Sequence, residues 1–321
     1  MTWQDITNSN KYNWKTIIEP FDLNSFKNID IFDHSHLGTK NRKLIYIEDK
    51  LIKSFTIIKI KKYLFCHVIN ISGGLEGDIN NLILNNLIFY LKSNFKFFVC
   101  KIDLNLTHTN TISFNDKNFI TSDPRFNFFK EFNNIANIDE LKKTFSSNWR
   151  HNLNRSNKNK FTILNEIPNP IEIFNLYEEL SIIKKIKNPY TLIYINNVLN
   201  KFRNKIFISQ ARVHNKLVSI RGIIFHNNKS WDLFSASNLT ARKIYASYAV
   251  TFEILKYCLF NNIKVFDLSG IDYKKNRSVY NFKKGMGPIE KKIYPELIFS
   301  SSIIFHFFFK IIFKLRIKYF V

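Results

Sequence analysis

Residues 263–287 read IKVFDLSGIDYKKNRSVYNFKKGMG. The apolar run 263–268 has the make-up of a buried strand, and Ser269-Gly270 ends it. A polar loop is expected next, closing on Phe282-Lys283-Lys284-Gly285-Met286-Gly287. A strand tip feeding a glycine-spaced basic loop suits a phosphate-bearing ligand. Gly285 and Gly287 would let the backbone approach such a ligand, and Lys283 and Lys284 would supply charge. The same two lysines could stabilise negative charge on a leaving group or a tetrahedral intermediate. The plainer alternative is a solvated basic loop. Phe282 could stack on a base or pack in the core.

Other cations fall into two groups. Arg242-Lys243 lies in a polar turn just before a long apolar helix. Arg150 and Arg155 lie on a basic helix and stand out because arginine is scarce beside lysine in this chain. A planar guanidinium fork suits phosphate better than an ammonium does, and each of these arginines could equally be a surface residue. Asp103 ends an apolar strand and could be a general base or a turn-capping aspartate; Asp267 carries the same ambiguity. No Ser/His/Asp or Cys/His arrangement suggests nucleophilic catalysis. Cys66, Cys100 and Cys258 are far apart in apolar runs, as buried thiols of a reducing compartment would be. The pair His34 and His36 has no partners in the sequence, so no metal is expected.

The elements that must position these groups alternate along 321 residues, enough for two domains. Strands are expected at 44–46, 54–60, 63–71 and 95–104, with a helix over 78–92. A basic helix covers 138–159, and Pro168 and Pro170 mark a connector. Helices 171–185 and 192–202 follow, then a meander at 206–214, 217–225 and 231–235, a helix at 244–259 and the strand 263–268. Both halves share the order of meander, helix and strand ending in an acidic residue, a weak internal repeat. The expected fold class is α/β (α+β), a mixed sheet flanked by helices in each half. The division reads as 1–160, including the linking helix 138–159, then 161–300, then a basic aromatic helix over 301–321.

The net charge of +23 favours an anionic partner, whether RNA, a nucleotide or a membrane surface. Heavy use of Lys, Asn, Ile and Phe throughout, as AT-rich genomes encode, would give the same total. The start lacks a basic-then-apolar signal, so secretion is not indicated. The segment 297–309 is too short an apolar run to span a bilayer; with the basic residues after it, 301–321 resembles a helix lying on an anionic membrane, or one packed on the protein.

Taken together, Trp149-Arg150 with Arg155, Ser237-Asn238 through Arg242, and Asp267–Gly270 followed by FKKGMG resemble the FemABX peptidoglycan-bridge aminoacyltransferases. The resemblance covers roughly 44–295 and implies two GNAT-like domains. It implies transfer of an aminoacyl group from aminoacyl-tRNA to an amine of a lipid-linked or UDP-linked muropeptide, in the cytoplasm or at the inner membrane face, without a cofactor. Lys283, Lys284 and Asp103 would then be catalytic, and Arg150, Arg155, Arg242, Lys243, Phe282, Gly285 and Gly287 would bind substrate. Two departures bear on this. Met286 and Pro288 stand where the family often has an aromatic residue and a richer glycine run. Tyr245 stands where an acyl-CoA-binding turn would have its middle glycine, which argues against CoA as donor. Two alternatives remain: a CoA-dependent N-acyltransferase of surface-glycan assembly, and a non-catalytic RNA- or membrane-binding relative.

Overall fold

A computed structural model describes residues 2–30, 39–64, 66–107, 119–122, 125–274 and 276–302. Among them, residues up to 125 and from 292 onward form one compact unit, and residues 126–291 form another. The proposed tail helix over 301–321 falls almost wholly outside the described residues, as do His34 and His36.

In the first unit, Thr39–Glu48 and Leu51–Tyr63 pair as a hairpin across Asp49-Lys50, whose φ values of 49° and 65° are those of a tight primed turn. Cys66–Ile71 continues the meander and then runs parallel to Phe98–Ile102. The helix Asn81–Asn94 makes that parallel crossover; it starts at Asn80, whose side chain accepts from the Ile83 N–H, so Asp78 is not its cap. Leu84, Leu87 and Leu91 on this helix pack with Ile69, Ile71, Phe98 and Ile102 of the sheet.

In the second unit, Ile206–Val213, Lys216–His226 and Lys229–Ser237 form the expected antiparallel meander. His214-Asn215 and Asn227 supply the positive φ angles of its turns. The helix Ala246–Phe260 then crosses over to the parallel strand Val265–Gly270. Each unit therefore holds an antiparallel meander followed by a strand–helix–strand crossover, and the repeat sensed in the sequence is a repeat of topology.

Two expectations need correction. The units do not divide at 160/161. Arg125–Glu131 pairs antiparallel with Val265–Gly270 and so belongs to the second sheet, ahead of the basic helix. Leu297–Ser300 pairs antiparallel with Phe98–Ile102 and belongs to the first. The basic helix itself is two helices, Ile138–Lys143 and Ser147–Ser156. Thr144 turns its hydroxyl back onto the Leu141 carbonyl, and the Ser146 hydroxyl caps the second helix by accepting from the Trp149 N–H. Hydrophobic spacing runs on through the break because Leu141, Phe145, Trp149 and Leu153 all reach one core.

Lys130, on the strand Arg125–Glu131, is 1% exposed. Its ammonium donates to the Thr144 hydroxyl at 2.6 Å and lies 5.8 Å from the Phe145 ring centre. Burial pulls its pKa from 10.5 down to about 8. The fold disfavours the charged form, so its contribution to stability is complete above pH 10.5 and is lost as pH falls through about 8, about 3 kcal/mol in all. Denaturant unfolding of Lys130→Met should lack this rise in stability between neutral and alkaline pH. Parallel pH profiles for wild type and variant would show the expectation to be wrong.

Candidate functional site

In the second unit, the strands Lys229–Ser237 and Val265–Gly270 pair only at Lys229–Val265, Ser230–Phe266 and Trp231–Asp267. Beyond Trp231 the first strand runs on without that neighbour. The parting coincides with a bulge: Ile223 faces Asp232 and Gly222 faces Phe234, so Leu233 is an extra residue. A bulge bends its strand and re-aims the side chains beside it. Tyr190 fixes this bulge by donating its hydroxyl to the Leu233 carbonyl at 3.1 Å.

Beside the strand Lys229–Ser237, where it runs on beyond the parting, lies a cavity of about 620 Å³. One wall is the separated strand, with Asp232, Ser235 and Ser237. Another is the start of the helix Ala246–Phe260, with Tyr245, Ser247 and Tyr248. The third is the helix Arg277–Lys284, which contributes Phe282 and Lys283 and occupies part of the expected basic loop. Asn276 caps that helix through its side chain, which accepts from the Val279 N–H.

Lys283 is buried at this wall, and its ammonium donates to the carbonyl of Gly270 at 3.1 Å, reaching the end of the strand Val265–Gly270. Burial lowers its pKa; Asp232 and Asp267 oppose that effect and Arg221 adds to it. Asp267 is also buried, and burial raises its carboxyl. It accepts from the Ser269 N–H at 2.8 Å and from the Asn127 amide at 3.2 Å.

Also in the lining, Arg221 donates to Asp232 at 2.8 Å and to the Thr251 hydroxyl at 3.3 Å. Arg221 is 2% exposed. Its Nε and the Asp232 Oδ1 have no hydrogen-bond partner among the described residues. The guanidinium lies 5.9 Å from the Phe282 ring centre. Hydroxyls also link along the lining, Ser219 to its cross-strand partner Ser237 and Ser237 to Ser247, each at 2.7 Å. Lys184 and Arg242 add cations to the lining.

Of the catalytic and substrate-binding residues expected from the sequence, Arg242, Phe282 and Lys283 meet at this cavity. The others are placed elsewhere. Lys284 is exposed, with its ammonium 5.6 Å from the Tyr280 ring centre. Lys243 is exposed and not part of the lining. Gly285 and Gly287, expected in a phosphate-binding loop, do not line the cavity and lie instead against the helix pair 138–156. A Cβ at Gly285 would sit 2.8 Å from Trp149 Cδ1, and one at Gly287 would collide with the Thr144 carbonyl oxygen. At both positions the missing side chain lets this segment lie close against that helix pair. Arg150 donates to the Phe145 carbonyl at 2.6 Å and so finishes the turn before its own helix. Arg155 stacks 4.3 Å from the centre of the Tyr245 ring, on a cavity-wall residue. Asp103 belongs to the first unit, where Arg125 grips both of its carboxylate oxygens.

Arg221, Asp232 and the serine chain were missed in the sequence. One signal was present: an arginine inside the apolar strand sequence LVSIRGIIF, where a charge survives only with a partner. Asp232 is the first acidic residue after Glu179, and so the natural candidate for that partner.

Residues 196–295 match the model of the FemAB family. The fold is similar to the crystal structure of FemX, with a TM-score of 0.68 over 93% of this chain and 97% of that one, at 14% identity. It is also similar to L-PGS from Bacillus licheniformis, with a TM-score of 0.54 over 91% and 92% of the two chains, at 12% identity. A tandem GNAT protein of clavulanic acid biosynthesis matches at a TM-score of 0.50, 7% identity, over 84% and 85%. Among curated proteins none matches the sequence.

Proposed function

We propose that this FemABX-like chain, with a GNAT-like fold in each unit, is an N-acyltransferase that moves an aminoacyl group from aminoacyl-tRNA to an amine of a peptidoglycan precursor, lipid-linked or UDP-linked. The observation that carries this reading is the cavity beside the separated strand Lys229–Ser237, with Lys283 buried at its wall inside the FemAB-matched segment. In the reaction the amine attacks the ester carbonyl, an amide C–N bond forms, and the ester C–O bond to the ribose breaks. The ribose oxygen leaves with a proton, and the attacking amine gives one up. Lys283 is a donor suited to the oxyanion of the tetrahedral intermediate, in a site partly shielded from water. Asp232 is the one carboxylate among the described lining residues and so the candidate to receive the amine's proton. Holding amine and ester together supplies much of the remaining rate, which is why no covalent nucleophile is needed.

The choice of donor turns on Tyr245. It holds a left-handed conformation, φ 61°, at the N-cap of the helix Ala246–Phe260. That position favours glycine, and a tyrosine there places a ring beside the helix start, where a CoA pyrophosphate would seek backbone N–H groups. Labelled amino acid should therefore pass from charged tRNA to a lipid-linked or UDP-linked muropeptide, and labelled acetyl-CoA should support no transfer. Transfer from acetyl-CoA alone would replace the donor in this reading. Salt-sensitive RNA or lipid binding without any transfer would replace the reaction with a binding role.

A further inference from the structure

The helix Pro170–Lys184 and the helix Leu192–Lys201 are joined by a short, well-held connection. Lys185 takes the left-handed position, φ 53°, and the Ile186 N–H bonds back to the Ser181 carbonyl at 3.1 Å. Such an ending ordinarily tucks the following apolar side chain against the last turn of the helix. Here Ile182 and Ile186 stay 76% and 55% exposed, and Ile193, on the first turn of the next helix, is 60% exposed. The connection is not loose. Asn188 donates to Glu178 at 2.6 Å, and Tyr190 stacks on Tyr194 with ring centres 5.3 Å apart. The isoleucines are held outward by a fixed tip.

The charge on this tip has one sign. Lys184, Lys185 and Lys187 alternate with the isoleucines, and no acidic residue occurs between Ser181 and Trp231. The nearest carboxylates upstream are engaged, Glu178 by Asn188 and Glu179 by Lys216 at 3.0 Å. The surface also continues into the cavity, because Leu180 and Lys184 line it. Bulky aliphatic side chains among lysines gain little from nucleic acid, whose unpaired bases stack on aromatic and arginine planes. At a bilayer they can enter the headgroup boundary while the lysines meet anionic lipid.

We propose that the 182–193 tip of the second unit is a docking surface for an anionic lipid membrane, set beside the cavity. This inference does not depend on the donor or the acceptor of the proposed reaction.

The test is co-sedimentation of the full chain with vesicles of phosphatidylcholine, with and without about one-third phosphatidylglycerol. Binding is expected only with the anionic lipid and should weaken with salt. The variant Ile182→Asn/Ile186→Asn/Ile193→Asn should lose about tenfold or more in affinity. The variant Lys185→Asn/Lys187→Gln should lose about fivefold per lysine at low salt, with asparagine tolerating the left-handed site. Thermal unfolding checks that both variants remain folded, as substitution of exposed residues allows. Vesicle binding unchanged in both variants would overturn the proposal and assign lipid contact elsewhere, 303–321 included. So would a lysine variant that loses binding to tRNA while the isoleucine variant keeps all of its vesicle binding.

Discussion

Replacing Lys283 with methionine should lower turnover about 100- to 1,000-fold, the usual effect of removing one donor to a developing oxyanion. The fold should survive. Methionine fills similar space and removes a buried charge, and the Gly270 carbonyl that loses its partner lies at an exposed strand end. Lys284→Met is the control: that ammonium is exposed beside Tyr280, and its loss should leave turnover nearly unchanged. The pH profile separates catalysis from structure. Burial lowers the pKa of Lys283, and the protonated form is the donor, so wild-type activity should fall as pH rises at a lower pH than an ordinary lysine would set. That limb should vanish in Lys283→Met. Equal losses in the two variants, measured as label transfer with thermal unfolding in parallel, would remove Lys283 from the reaction.

The second large effect is on stability and comes from a residue that sequence reasoning had placed in the site. Gly287→Ala should destabilise the protein by about 3 kcal/mol or more, lowering its Tm by on the order of 10 °C. Two penalties add. The backbone at Gly287 has a φ of 68°, and a new Cβ would press into the Thr144 carbonyl oxygen, which belongs to backbone and cannot swing aside. The Gly287 carbonyl also accepts from the buried Lys130 ammonium at 3.4 Å, so a shift there would disturb a second buried group. Activity per folded molecule should be largely retained, since neither Gly287 nor Thr144 lines the cavity. A stable variant that had lost activity would restore the phosphate-cradle reading.

These two outcomes mark what the sequence could and could not tell. The order of strands and helices was legible because each carries its own period: alternation and β-branched residues in 206–225, helical spacing in 244–259. The FKKG segment was legible as a place where charge meets glycine, and Lys283 does face the cavity. The reason for the glycines was not legible, because their neighbours, Trp149 and Thr144, lie far upstream in the chain. The pairing of Arg221 with Asp232 depends on two strands aligning, and no local pattern announces a register. The break at Thr144 was hidden because apolar spacing continued across it. The division into units was misread because the strand Arg125–Glu131 finds its partner, Val265–Gly270, long after it is made.

The return of Leu297–Ser300 to the first sheet has a consequence for synthesis. That strand lies between Phe98–Ile102 and Ile120–Thr121. A ribosome makes it about two hundred residues after Phe98–Ile102, so the first unit waits with that strand as an open edge while residues 126–291 emerge and can close around their own core. The first unit is therefore completed only after the second has been made. A nascent chain that stops before 297 would expose an apolar strand edge of the kind that recruits other strands, so Leu297–Ser300 guards the first unit against aggregation.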